Sequence, residues 1–322
     1  MNDAHNETTL DDAAIARIRS DANSVIGGEK MTQRAAADEA NIPAGTFNAF
    51  INGSYAGDNA RVAAEVAKWL EARRNRKSIK AIVPIAPAFL QTKTAQQIVE
   101  LLTWAQTLSD FGVIVGSPGT GKTCALEYYR AANPAVFVAT MEPAKSSVHH
   151  LLSELASTVK ASERSAVAIA DAVVRRLKDR QALLIVDEAQ HLQSAAIDQL
   201  RTVHDKARCG VVLVGNESIV AKLGDPERTP QLAQLYSRIG LRLNLARAAN
   251  ADVDALLKAW SVEDKEERQF MKLVASKPGA LRALTKTMIA ATAMAAGNKE
   301  PRTIAHMRDA WSRVGAGPIG NS

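Results

Sequence analysis

The feature that most limits how this chain can fold is the order of its apolar runs. Val113-Ile114-Val115, Val136-Phe137-Val138-Ala139, Leu183-Leu184-Ile185-Val186 and Val211-Val212-Leu213-Val214 are short and apolar throughout, and a fifth run, Leu241-Arg242-Leu243-Asn244-Leu245, follows. Stretches with helical periodicity separate them. Runs of this kind read as parallel strands buried on both faces. Strands alternating with helices predict a doubly wound α/β sheet over residues 96–248. Beyond residue 249 no strand signal remains, and 252–260, 266–276, 280–296 and 303–314 read as helices of a separate C-terminal bundle spanning 249–322.

Residues 1–74 read as an all-helical N-terminal domain. Within it Thr32 is placed to cap a helix running to Ala40, and Asn41-Ile42-Pro43 forms a turn. A second helix from Ala44 ends near Asn52-Gly53. Two short helices around a tight turn make the helix-turn-helix pattern. Thr46 and Asn48 are its candidate DNA contacts, with Phe47, Phe50 and Ile51 facing inward. A helical bundle used for protein contacts fits the same string. An amphipathic helix over 59–73 leads into residues 75–95, expected to be a linker: basic at first (Arg76, Lys77, Lys80), then broken by Pro84 and Pro87.

Gly116-Ser117-Pro118-Gly119-Thr120-Gly121-Lys122-Thr123 follows the first strand and opens a helix, matching G-x-x-x-x-G-K-[ST] at every fixed position. Glycines let the backbone curl so that its N–H groups point at phosphate oxygens. Lys122 can reach the β- and γ-phosphates, and Thr123 can ligate Mg²⁺. The third run ends in Asp187-Glu188. Asp187 suits the Mg²⁺ water shell, and Glu188 suits orienting and deprotonating a lytic water. The fourth run ends at Asn216. This residue can touch a γ-phosphate or the lytic water, or can serve as a turn or N-cap residue. The chemistry expected is therefore hydrolysis of ATP with Mg²⁺.

Composition sets looser bounds. A formal net charge of +6 suggests a polyanionic partner. Lys145, Arg175 and Arg176 flank internal strands and are further candidate DNA contacts. Few aromatics accompany them, which favours phosphate contact with duplex DNA over base stacking on single strands. Cys124 and Cys209 match no disulfide or metal framework, so a reducing, cytoplasmic setting is expected. The most apolar helical run, 288–297, is too short for a membrane span, and no membrane partner is expected.

In their order, the phosphate loop, the strand ending Asp187-Glu188, the strand ending Asn216, then Tyr236-Ser237-Arg238-Ile239 and Gly279-Ala280-Leu281-Arg282 resemble the AAA+ ATPases. The resemblance implies that Arg238 acts in trans on a neighbouring subunit's γ-phosphate and that Arg282 is the lid arginine. Read alone, Arg238 could be a surface residue and Arg282 a decoration on a helix. Phe50-Ile51-Asn52, Tyr55, Gly57-Asp58-Asn59, Arg61-Val62, Trp69-Leu70-Glu71 and Lys277-Pro278-Gly279-Ala280-Leu281-Arg282 are more specific. They resemble the transposition B proteins of Mu and Mu-like phages. That resemblance implies sequence-tolerant binding to double-stranded DNA, a head-to-tail homo-oligomer in the form of a filament or ring, and recruitment and stimulation of a transposase. A replication initiator or helicase loader is the competing reading.

Overall fold

The structure is a computed structural model, and it describes residues 10–87, 89–223 and 238–315. Tyr236 and Ser237 lie outside them. The chain divides into two compact units, Met1–Pro84 and Ile85–Ser322.

The first unit contains α1 (Asp12–Gly28), α2 (Gln33–Ala40), α3 (Ala44–Ile51) and α4 (Asn59–Ile82). Thr32 caps α2 as expected, its Oγ1 accepting from the Ala35 N–H at 3.2 Å. Asn41 takes the left-handed conformation at φ 55°, and the chain turns there. Ile42 plugs the angle, buried with Phe47, Phe50, Ile51, Val62, Val66, Trp69 and Leu70. Phe47 meets the Trp69 ring edge-on at 6.0 Å. One expectation needs correcting. The basic run read as the start of a linker is helical, because α4 continues to Ile82. Arg, Lys and Ala are good helix formers, and the first residue to oppose the helix is Pro84.

The second unit begins its regular structure with α5 (Lys93–Leu108). Next come β1 (Phe111–Gly116), α6 (Lys122–Ala132), β2 (Val136–Thr140), α7 (Val148–Val159), α8 (Ala166–Leu177) and β3 (Leu183–Asp187). A 3-10 turn at Ala189–His191, α9 (Ser194–Ala207), β4 (Gly210–Gly215), α10 (Glu217–Leu223) and β5 (Ile239–Leu245) complete the core. Among the described residues the strands form one parallel sheet in the order β2-β3-β4-β1-β5. Successive strand residues face opposite sides, as the pleat requires. Val113, Val115, Leu184, Val186, Val211 and Leu213 join a core with α7, α8 and α9. Ile114, Leu183, Ile185, Val212 and Val214 join another with α5 and α6. The fifth strand lies at one edge of the sheet, β2 at the other; Arg242 and Asn244 are exposed and the leucines beside them turn toward the α5 side.

Four helices follow: α11 (Asn250–Ala259), α12 (Lys265–Ala275), α13 (Ala280–Asn298) and α14 (Ile304–Val314). They enclose a core of Leu257, Trp260, Met271, Leu284, Met288 and Trp311. Asp252, fully buried in α11, accepts the Thr94 backbone N–H at 3.3 Å, tying this bundle to the start of α5. No helix among the described residues is long and apolar enough to cross a membrane.

Candidate nucleotide site at the carboxyl edge of the sheet

Strand order decides which side chains meet. β4 pairs with β1 on one side and β3 on the other. The loop leaving β1, the acids ending β3 and the asparagine after β4 therefore share one edge, the edge at which open α/β sheets bind ligands.

The loop is built on two left-handed glycines, Gly119 at φ +85° and Gly121 at φ +94°. Gly121 is the N-cap of α6, with no side chain over the helix terminus. Thr120 is buried and donates its hydroxyl to the Ser117 carbonyl at 3.0 Å. Ser117 donates its hydroxyl to the Ala246 carbonyl at 2.8 Å, fastening the loop to the end of β5. Pro118 is exposed at the tip. The Lys122 ammonium curls back to the carbonyls of Gly116 at 2.7 Å and Ser117 at 3.0 Å. Burial pushes it below the usual lysine value; Asp187 and Glu188 pull it back up, and Arg282 adds to the downward push.

Thr123 donates its hydroxyl to Asp187 Oδ2 at 3.5 Å. Asp187 is buried, and that burial raises its carboxyl above the ordinary range, opposed first by the Glu188 backbone N–H that donates to Oδ1 at 2.9 Å. Glu188 sits in the left-handed region at φ 55° and ψ 35°, with its side chain exposed. Asn216 is half-buried, and its Oδ1 accepts the Ser218 N–H at 2.9 Å. The N-cap geometry foreseen as its plain reading is thus present at the start of α10. It uses the acceptor half of the amide and leaves the NH₂ as the donating half.

The helical bundle reaches the loop directly. Gly279, at φ +94°, is the N-cap of α13, and the Leu281 N–H donates to the Gly119 carbonyl at 3.1 Å. A Cβ added to Gly119 would lie 1.9 Å from the Gly279 carbonyl oxygen, so the contact requires glycine there. Arg282, one residue further along α13, is exposed and close enough to Lys122 to influence its charge. Arg238 lies elsewhere. Ile239 pairs with Phe111 at the amino end of β1, which puts Arg238 at the opposite edge of the sheet from the loop, about 20 Å away along the strands. There its Nε contacts Asp205 Oδ1 at 3.2 Å.

Two of the candidate DNA contacts already have acidic partners within their own unit. Lys145 contacts Glu142 at 3.5 Å and Glu154 at 3.8 Å. Arg175 pairs with Glu163 at 3.0 Å. With Arg176, Arg180 and Ser162 these two residues line a cavity of about 360 Å³ beside α8. In the first unit Thr46 and Asn48 are half-buried, and Asn48 turns its Oδ1 into the interior. Arg73 and Arg74, in the basic C-terminal part of α4, are engaged by acids of their own unit. Arg73 bridges Glu29 and Glu39, and Arg74 meets Asp21 at 2.7 Å. Gln190 and Lys222 also border the site. Neither stands in a recognised string, and only their nearness to Glu188 and Asn216 in the chain could have drawn attention to them.

A parallel sheet with β4 between the loop strand and the acidic strand, a phosphate loop and a helical bundle seated on that loop define an AAA ATPase. Residues 106–223 match the model of the AAA domain. Residues 237–314 match the model for the C-terminal part of the Mu B transposition protein. The chain is 33% identical over 302 residues to the ATP-dependent target DNA activator B of Escherichia phage Mu, covering 93% of this chain and 96% of that protein. It is 33% identical over 267 residues to the Mu-like prophage FluMu DNA transposition protein B of Haemophilus influenzae, covering 81% of this chain and 92% of that protein. The chain belongs to the Mu B family of DNA transposition proteins. The crystal structure of Cdc6p from Pyrobaculum aerophilum is similar in fold, with a TM-score of 0.56 at 15% identity over 74% of this chain and 72% of that one.

Proposed function

We propose that this chain binds ATP at the carboxyl edge of its sheet, assembles head to tail on duplex target DNA, and recruits and stimulates a transposase until hydrolysis releases it. The observation that carries the reading is the convergence of Lys122, Thr123, Asp187, Glu188 and Asn216 beneath the lid residue Arg282. The printed names of the relatives, a target DNA activator and a DNA transposition protein, support the partners.

Each residue has a task that its chemistry suits. Residues 116–121 offer backbone N–H groups and a helix N-terminus to the phosphates. Lys122 exchanges the Gly116 and Ser117 carbonyls for β- and γ-phosphate oxygens. The Thr123 hydroxyl and the Asp187 carboxylate are the hard oxygen donors that suit Mg²⁺. When bound, it neutralises phosphate charge. Glu188 takes the proton from the attacking water, and the Asn216 NH₂ orients that water or the γ-phosphate. Arg282 closes from the lid of the same subunit. Arg238, remote from its own loop, serves the pocket of the next subunit, and repeating that heterologous contact gives a ring or a helical filament. Arg175, Arg176 and Lys145 exchange their acidic partners for DNA phosphates, with Thr46 and Asn48 as the contacts of the N-terminal unit. Such binding weakens steeply with salt.

Electron microscopy with and without ATP and duplex DNA tests this reading. ATP together with DNA is expected to give continuous filaments that vanish when ATP is withheld. Particles that stay monomeric under all four conditions would overturn it.

A further inference from the structure

The turn after Glu188 contains a contact that the proposed hydrolysis scheme leaves unused. The Gln190 side-chain amide has both ends engaged. Its Nε2 donates to Glu188 Oε2, and its Oε1 accepts the Asn216 backbone N–H at 3.3 Å. Gly215 makes room for this bridge, since a Cβ there would stand 2.6 Å from Gln190 Oε1. The backbone of the turn is held as well. Lys222, in α10, donates its ammonium to the carbonyls of Gln190 at 2.5 Å and Leu192 at 2.8 Å. The turn that presents Glu188 is therefore fastened at two points to the end of β4 and to the helix leaving it.

We propose that Gln190 is a positioning residue that holds Glu188 in a resting orientation and releases it when the end of β4 shifts. The proposal rests on Glu188 being the base. A carboxylate oxygen that accepts a charge-assisted hydrogen bond from an amide is fixed in direction and less available to a water proton. With Oε2 held by Nε2, the carboxylate is turned toward Gln190, and it swings from there to meet the water. The other end of the same amide is bonded to the main chain of Asn216, the residue proposed to touch the γ-phosphate or the lytic water. A nucleotide that draws Asn216 toward itself lengthens the Oε1 contact, and the amide loosens at both ends. In this way the base becomes free when the pocket is correctly filled.

Steady-state ATPase kinetics of Gln190→Ala and Gln190→Met test the idea, measured at low protein concentration with and without duplex DNA. Methionine keeps the length of the side chain and removes both hydrogen bonds. The proposal expects both variants to raise the DNA-free kcat by about three- to ten-fold, the scale of a partial loss of one charge-assisted hydrogen bond. KM for ATP should stay within about two-fold. A merely structural role predicts near wild-type behaviour for methionine with a loss in alanine. That pattern, or a fall in kcat in both variants, would overturn the proposal. Glu188→Gln, assayed alongside, separates the two layers. Wild-type hydrolysis in that variant would remove Glu188 as the base, whereas lost hydrolysis with an unaltered Gln190→Met profile would reject the resting contact alone.

Discussion

Arginines and lysines do different work in the two units of this molecule. In the N-terminal unit Arg73 lies between Glu29 and Glu39 and over the Trp69 ring, with its centre 5.7 Å from the ring centroid. It joins the end of α1, the α2 helix and α4, and its charge is satisfied within the fold. At the carboxyl edge of the sheet, Lys122 is half-buried, held by carbonyl oxygens and pushed below its usual pKa. That arrangement costs stability unless an anion enters. The lesson is that basic character alone does not mark a binding residue. What matters is whether the fold has already supplied the counter-charge.

The widest separation between the two kinds of residue should appear in hydrolysis. Arg238→Ala is expected to lower the ATPase rate by about 10³-fold or more, the scale of an arginine supplied in trans. Lys122→Ala should be equally inactive, because it removes the charge that meets the phosphates. Mixed together, the two variants should regain part of the activity, since one offers an intact pocket and the other an intact arginine. A mixture as inactive as its components would leave Arg238 outside the active site.

A smaller effect is expected where the lid meets the loop. Gly119→Ala places a Cβ into the Gly279 carbonyl and a side chain at φ +85°. Displacing the loop by even about 1 Å should reduce kcat/KM by about 10²-fold, and overpacking should reduce stability by about 1–3 kcal/mol. Wild-type kinetics in this variant would show that the loop and lid do not need their close contact.

The smallest effect belongs to the N-terminal unit. Arg73→Ala should lower its stability by about 1 kcal/mol, because the acids it pairs with are partly exposed and screened. The ATPase rate at saturating ATP should not change. The hydrogen bond from Arg73, followed by that from Trp69, holds the Glu39 carboxyl below its usual pKa. A depressed folded-state value gives stability that is present above the unfolded value of about 4.3 and is lost as pH falls through the folded one. The difference in melting between wild type and Arg73→Ala should therefore shrink below about pH 4. An undiminished difference at pH 3 would assign the effect to packing on Trp69.

These contrasts follow what the chain discloses locally and what it does not. The loop 116–123 and the pair Asp187-Glu188 were legible because their chemistry is contiguous and sits where an apolar run stops. Ile42, Phe47, Phe50 and Ile51 were legible because a tight turn and a helical stripe leave them one place to go. The Leu281–Gly119 hydrogen bond was not legible, since it joins positions 162 residues apart through backbone atoms that any residue possesses. The Gln190 bridge was hidden for a similar reason: an amide declares no partner in advance. The helix over the basic segment is not legible from charge, which suggests a linker, whereas the backbone responds to propensity and the absence of proline. Arg238 shows a further limit. Its motif was readable, but its place at the far edge of the sheet follows from the register of β5 against β1.

The carbonyl of Gly119 accepts a hydrogen from the first turn of α13, so the shape of the phosphate loop and the seating of the bundle are one variable. Linkage then works in both directions. If filling the loop alters the equilibrium constant for seating by some factor, a partner that binds only the seated bundle gains affinity from the nucleotide, and the nucleotide gains affinity from the partner by the same factor. A protein that never approaches the phosphates could thereby tighten or discharge them, by holding the bundle down or lifting it away.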